Sequence, residues 1–367
     1  MSLRFKHSKA SFLLETSCIS SQSLRNKVEV ILKDIFSGFK ESTVKENDIT
    51  FLFTDDISSF VSDYNVNQVD NVRIGNKQLH FKDVELNFII NHSTPFQVIY
   101  EVRDDKSFQF YSRIFNKAFK DNLELQITVF YYRIFLLFTQ IWNVKNNDTY
   151  IHASAVADKD GAILFTADSG IGKSSLLFRV AKEGKHVFLA DDLTILSRDA
   201  IVYYQGRSLS IRPYHLRYFP FLRHLVFSNM PKLQRLQWMF LRDSRLNTRI
   251  SPNILFKKSI TSAKLKKVIH LCNHDSKSYS IQEINSNELI NMVVPILNNE
   301  FFLAFAKLDK LASLPEAPFQ SSIEIMKDVI KVYESAFIDV DKFLVSVPYR
   351  SDPNELYDFL NRQGCLN

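Results

Sequence analysis

Glycine is scarce in this chain, with eight in 367 residues. Glycine serves where the backbone must turn left-handed or pass close to another group, so its placement carries information. Five of the eight lie between Gly161 and Gly206. Cysteine is scarcer still: Cys18, Cys272 and Cys365 are odd in number and far apart. That excludes a disulfide framework and a zinc-ligand spacing, and it fits the reducing cytoplasm. The start of the chain, "MSLRFKHSKASFLLETS", has too short an apolar run for a signal-peptide core. The longest apolar run, residues 123–144, has Arg133 in its middle with Glu124, Gln126 and Gln140 around it. Charge at mid-membrane is costly, so the expectation is a buried core helix and no membrane span. Acid is almost missing from one segment. Tyr203 to Lys267 holds fourteen Lys or Arg and one acid, Asp243, although the whole chain is only +6.

What remains is an ordinary globular composition, 46% hydrophobic and 23% charged, with 32 phenylalanines. The length suggests two domains, or one large domain with an appendage. Residues 21–40 show apolar positions at helical spacing (Leu24, Val28, Ile31, Leu32, Ile35, Phe36), with Ser21 or Ser23 to cap the start and Gly38 the end. Short strands follow over residues 49–103, separated by turn signals such as "GNK" and "NHSTP". Residues 1–149 read as an α/β N-terminal region of unknown role, with no catalytic or metal-ligand spacing.

From Tyr150 the texture changes. "YIHASAV" and "AILFT" read as strands, and the loop "ADSGIGKS" opens a helix that stops at Gly184. "HVFLA" is the next strand and ends at Asp191 and Asp192. Residues 214–249 read as helical and basic, interrupted by Pro220 and Pro231. Later strands ("KKVIHLC", "SYSIQEI", "DKFLVSV") alternate with helices near 286–298 and 320–335 and a last helix after Pro353.

A strand, a glycine loop and a helix start make an anion site, because consecutive N–H groups point inward and the helix terminus adds positive potential. The candidate nucleotide-binding residues are Asp168, Ser169, Gly170, Ile171, Gly172, Lys173, Ser174 and Ser175. Lys173 is placed to reach terminal phosphates, and the Ser174 hydroxyl to ligate Mg²⁺. The strict motif begins with glycine, and Ala167 stands there. Alanine costs little at that position provided its φ is negative. Asp168 puts negative charge near phosphate, which suits it only to facing the metal or the acceptor. Asp191 and Asp192 end a strand beside the loop, where a turn alone would account for aspartate. Phosphoryl transfer needs a metal ligand and a carboxylate to take the acceptor proton, and this pair can supply both. His152, one strand earlier, reads by position alone as a packed core histidine.

"IHASAV", "GAILFTADSGIGKSS" and "GKHVFLADD" together resemble the C-terminal kinase domain of the HPr kinase/phosphorylase family, over about residues 150–196. The resemblance implies an α/β P-loop core of the HPr kinase and phosphoenolpyruvate carboxykinase type, a mixed sheet with flanking helices, in residues 150–367. It implies a kinase using ATP and Mg²⁺. Gly170, Gly172, Lys173 and Ser174 match its phosphate loop, and Asp168 an acidic position within it. Asp191 and Asp192 match its metal-binding and proton-exchanging pair, and His152 matches its histidine before the loop, which makes His152 a catalytic candidate. The chain departs from the family at Ala167, at Ser175 where an acid is expected, and at Ala153 where glycine is expected. No glycine-rich C-terminal signature is present. ATP-dependent transfer to a hydroxyl is the activity these departures leave standing.

The basic segment 203–267 bears on the acceptor. Its plain reading is a solvated helical face whose long side chains cover apolar surface, but a field of one sign attracts anionic partners. The expected acceptor is a Ser or Thr hydroxyl of an anionic peptide or small protein. A small metabolite or sugar is the alternative acceptor, and a non-catalytic ATP-binding regulator or scaffold is the third reading. Nucleic acid ranks last, because the interleaved aromatics (Tyr214, Tyr218, Phe219, Phe221, Trp238, Phe240) suit helix packing as well as base stacking. A homo-oligomer is compatible with this sequence.

Overall fold

The structure is a computed structural model and describes residues 2–39, 46–61, 67–69, 71–75, 77–83, 85–92, 95–104, 122–228, 230, 232–240, 246–314, 318–349 and 351–366. Its architecture is mixed α/β. The chain divides into two compact units, Met1–Asn146 with Phe301–Ile325, and Asn147–Glu300 with Met326–Asn367. The sequence places one boundary, between 149 and 150, and assigns 301–325 to the second region. Those residues cluster instead with the first unit, where Lys307 pairs with Asp83 and lies over the Phe81 ring.

The first unit contains β1 (Ser2–His7), β2 (Ala10–Glu15), β3 (Ile49–Thr54), β4 (Asn67–Val69), β5 (Val72–Gly75), β6 (Gln78–Lys82), β7 (Asn87–Asn91) and β8 (Phe96–Glu101). They form one sheet in the order β1-β2-β3-β8-β7-β6-β5-β4. β3 runs parallel to β2 and β8, and the other pairs are antiparallel. The helix Gln22–Ile35 buries Leu24, Val28, Leu32 and Ile35, and the Ser21 hydroxyl accepts from the Leu24 N–H. It ends at Phe36, whose N–H reaches Leu32 O, before Gly38.

The apolar run 123–144 folds as the helix Asn122–Phe130, a π turn over Tyr131–Phe135 and the helix Leu136–Lys145. Arg133 in the π turn pairs with Glu85. Phe135 packs edge-on against Phe36 (5.0 Å) and lies 5.3 Å from Phe51, contacts worth about 0.5–1.5 kcal/mol each beyond buried area. Much of the abundant phenylalanine is used here. A different helix, Ser286–Ala312, is long and apolar enough to cross a membrane by length and composition, and 44% of its apolar window is buried inside the protein.

The second unit contains β9 (Asp148–Ile151), β10 (Ala153–Ala157), β11 (Ala162–Ala167), β12 (Val187–Ala190), β13 (Thr194–Ser197), β14 (Ile201–Tyr203), β15 (Leu209–Ile211), β16 (Thr248–Ile250), β17 (Ser262–His274), β18 (Ser280–Glu283) and β19 (Asp341–Pro348). The main sheet runs β12-β10-β11-β17-β14-β13-β9, with β19 on β17 and β18 on β19. β17 is its spine. It pairs antiparallel with β14 at its start, then parallel with β11 and β19. Val268, Ile269 and Leu271 are fully buried, as a parallel strand covered on both faces requires. "YIHASAV" is not one strand. β9 pairs with β13 and β10 with β11 and β12, so the chain breaks at His152.

Candidate functional site

The glycine loop joins β11 to the helix Lys173–Glu183. Gly170 (φ +92°) and Gly172 (φ +116°) take left-handed backbone there, conformations that side chains resist. Ala167 is the last residue of β11, fully buried, paired in register with Leu271, and not among the positive-φ residues. The condition for tolerating alanine is therefore met. The Lys173 ammonium donates to the carbonyls of Ala167 (2.6 Å) and Asp168 (3.2 Å), which folds the lysine back over the loop. Asp168 and Ser169 are exposed, Ile171 is half-buried, and Ser175 is buried at 3% exposure.

β12 delivers the paired acids, which then diverge. Asp191 is 3% exposed, and its Oδ1 accepts from Ser154 Oγ (2.7 Å) and Ser174 Oγ (3.2 Å). Burial raises its pKa and the neighbouring Asp192 adds to that, against the two serine hydrogen bonds and Arg207. Asp192 has φ +72°, a left-handed conformation that aspartate tolerates better than most residues. Its side chain pairs with Arg207. Burial pushes this carboxyl up, but Arg207, His152, Lys173 and Arg249 outweigh that and hold it below its ordinary value.

His152 sits at the β9–β10 break, 5% exposed, with Nε2 3.9 Å from Asp192 Oδ1 and Nδ1 3.0 Å from Glu300 Oε1. Lys173 is 7% exposed; burial lowers its pKa, opposed by Asp192, Asp191, Glu300 and Asp168. The structure thus gathers His152, Lys173, Ser174, Asp191 and Asp192 around one point. Behind the loop, Thr166 Oγ1 and His270 Nδ1 share a 2.9 Å hydrogen bond between β11 and β17.

Four contributors escaped the sequence reading. Ser154 lies in a motif that drew attention only to its histidine. Glu300 lies on a helix far along the chain. Arg207 and Arg249 were counted in the basic segment without a place. Arg249 stands opposite Ser210 in the β15–β16 pair, which draws both arginines toward Asp192. Other basic residues of the segment, including Arg212, Arg217, Arg223, Lys232, Lys257 and Lys258, are exposed. Of its aromatics, Phe219 and Trp238 are buried, whereas Tyr214, Phe221 and Phe240 are exposed.

The donor set fits Mg²⁺ in part. Ser174 Oγ and Asp191 Oδ1 are hard oxygen donors beside each other, and Mg²⁺ characteristically takes one or two protein oxygens with phosphate and water completing the shell. Among the described residues no group of three or more His, Cys, Asp or Glu could hold a metal, so the remaining ligands would come with a nucleotide. Cys18, Cys272 and Cys365 are all free.

No protein-family model matches the chain, and no curated protein matches it. Among solved structures the chain is similar to the HPr(Ser) kinase/phosphatase from Coxiella burnetii at 10% identity and a TM-score of 0.28, over 59% of this chain and 97% of that one. The chemistry of the site is therefore read from its own geometry.

Proposed function

We propose that the protein is an ATP-dependent phosphotransferase that moves the γ-phosphate to a hydroxyl of an anionic peptide or small protein. The observation that carries this is the divergence of two adjacent carboxylates beside a glycine loop. Asp191 is held by Ser174, and Asp192 pairs with Arg207 and faces His152. Ser174 and Asp191 would hold Mg²⁺, which when bound neutralises charge on the phosphates. Lys173 would exchange its carbonyl contacts for phosphate oxygens. Asp192, kept ionised by Arg207, Lys173 and Arg249, would accept the proton of the attacking hydroxyl. Arg207 and Arg249 add positive charge where an anionic acceptor would approach.

The test is label transfer from Mg-ATP to a panel of acidic peptides, with Lys173→Ala and Asp192→Asn as controls. Each change is expected to lower transfer by about a hundredfold or more. Undiminished transfer in both variants would sink this site assignment. The two arginines also favour a second reading, an anionic metabolite as acceptor, which thermal stabilisation by metabolites but not peptides would support. ATP binding without turnover on any acceptor would leave a regulatory or scaffold role.

A further inference from the structure

His152 has a buried ring whose two nitrogens face two different carboxylates. Nδ1 makes no in-line hydrogen bond, and Glu300 Oε1 lies 3.0 Å from it. Nε2 stands 3.9 Å from Asp192 Oδ1, too far to hydrogen-bond directly. A buried ring N–H needs an acceptor, and a neutral imidazole carries its hydrogen on one nitrogen only, so whichever carboxylate takes that hydrogen decides what the other nitrogen can do.

We propose that Glu300 is a positioning residue that fixes the tautomer of His152. A small rotation of the glutamate aligns Oε1 to accept from Nδ1–H. Nε2 is then left as a bare lone pair, and with Asp192 Oδ1 it forms two acceptors 3.9 Å apart. One O–H fits such a slot. Without Glu300 the hydrogen would move to Nε2 and point into that slot, where it would meet the hydrogen of the incoming hydroxyl. This consequence rests on the phosphotransferase reading, in which the hydroxyl O–H bond breaks as its oxygen bonds phosphorus, ADP leaves, and the proton passes to Asp192 with Nε2 beside it. The tautomer itself does not depend on that reading. Glu300 lies in the second unit with the histidine and the acids, on the helix Ser286–Ala312.

The test is nitrogen NMR of the full chain labelled at histidine, at about pH 8 where an ordinary imidazole is neutral, with His152 assigned by loss of its signals in His152→Gln. The expected result is the Nδ1–H form in wild type, retained in Glu300→Gln, whose amide oxygen still accepts, and lost in Glu300→Ala. The Nε2–H form in wild type, or no change in Glu300→Ala, overturns the proposal. In parallel, Glu300→Ala is expected to lower kcat for ATP turnover about tenfold or more with KM for ATP unchanged, and Glu300→Gln to restore it. An unchanged kcat in Glu300→Ala also overturns it. Absence of turnover in the wild type would instead count against the phosphotransferase reading, leaving the tautomer result to stand by itself.

Discussion

At the scale of single residues, Asp191 and Asp192 share a strand end and have opposite surroundings. That predicts separable defects. Asp191→Asn should raise the Mg²⁺ concentration needed for half-maximal turnover, whereas Asp192→Asn should lower kcat at any Mg²⁺ concentration, which a metal titration of both variants would check. Two histidines set a pH dependence. Burial lowers His270 from 6.5 to about 4 and His215 from 6.5 to about 3, the latter helped by Arg212. Because the folded pKa values lie below the unfolded ones, the unfolded chain binds more protons between them. The stability is thus fully present above about pH 6.5 and is lost as pH falls toward 4 and 3. His270→Gln is expected to narrow the stability difference between about pH 7 and about pH 5 by about 2 kcal/mol, read from urea unfolding at both values. The aspartates and the lysine were visible in the sequence because motif chemistry demands them locally. Glu300 was not, since its partner His152 lies far along the chain and nothing about a glutamate on a long helix marks it.

At the scale of elements, strand ends and glycines decide what is tolerated. Gly161, with φ +145°, turns β10 into β11, and a Cβ there would lie 2.7 Å from the Lys264 carbonyl oxygen. Gly161→Ala is expected to destabilise by about 2 kcal/mol. Ala200 does the opposite. It holds φ +56° in the turn from β13 to β14, where glycine would sit without strain, so Ala200→Gly should stabilise by about 1 kcal/mol in denaturant unfolding. Alternation and turn residues made β3 and β5 to β8 legible, as they did β11, β12, β17 and β19. β1 and β2 were missed because their alternation is interleaved with Arg4, Lys6 and Lys9, which reads as a basic terminus. The helix expected near 286–298 runs to Ala312 and holds Pro295 within it.

At the scale of the whole molecule, the sheet of the second unit joins segments that are distant in sequence. The glycine loop and both aspartates of the candidate site lie between His152 and Asp192, yet the strand that anchors the loop pairs with β17, and β17 in turn with β19. A fragment of residues 147–261 is expected not to bind nucleotide, which titration with a fluorescent ATP analogue would check. Binding by that fragment would show that the spine is dispensable. The exposed part of the basic segment was countable in the sequence, but the sorting of Arg207 and Arg249 inward needed the β15–β16 pairing, which joins residues on either side of three helices. The same parallel pairing has a consequence in time. Thr166 and His270 are 104 residues apart, so at synthesis rates of about 5–20 residues per second the glycine loop leaves the ribosome roughly 5–20 seconds before its anchoring strand exists. In that interval β11 has β10 on one edge and nothing on the edge that β17 will cover, so a nascent apolar strand waits with one side open for a partner not yet made.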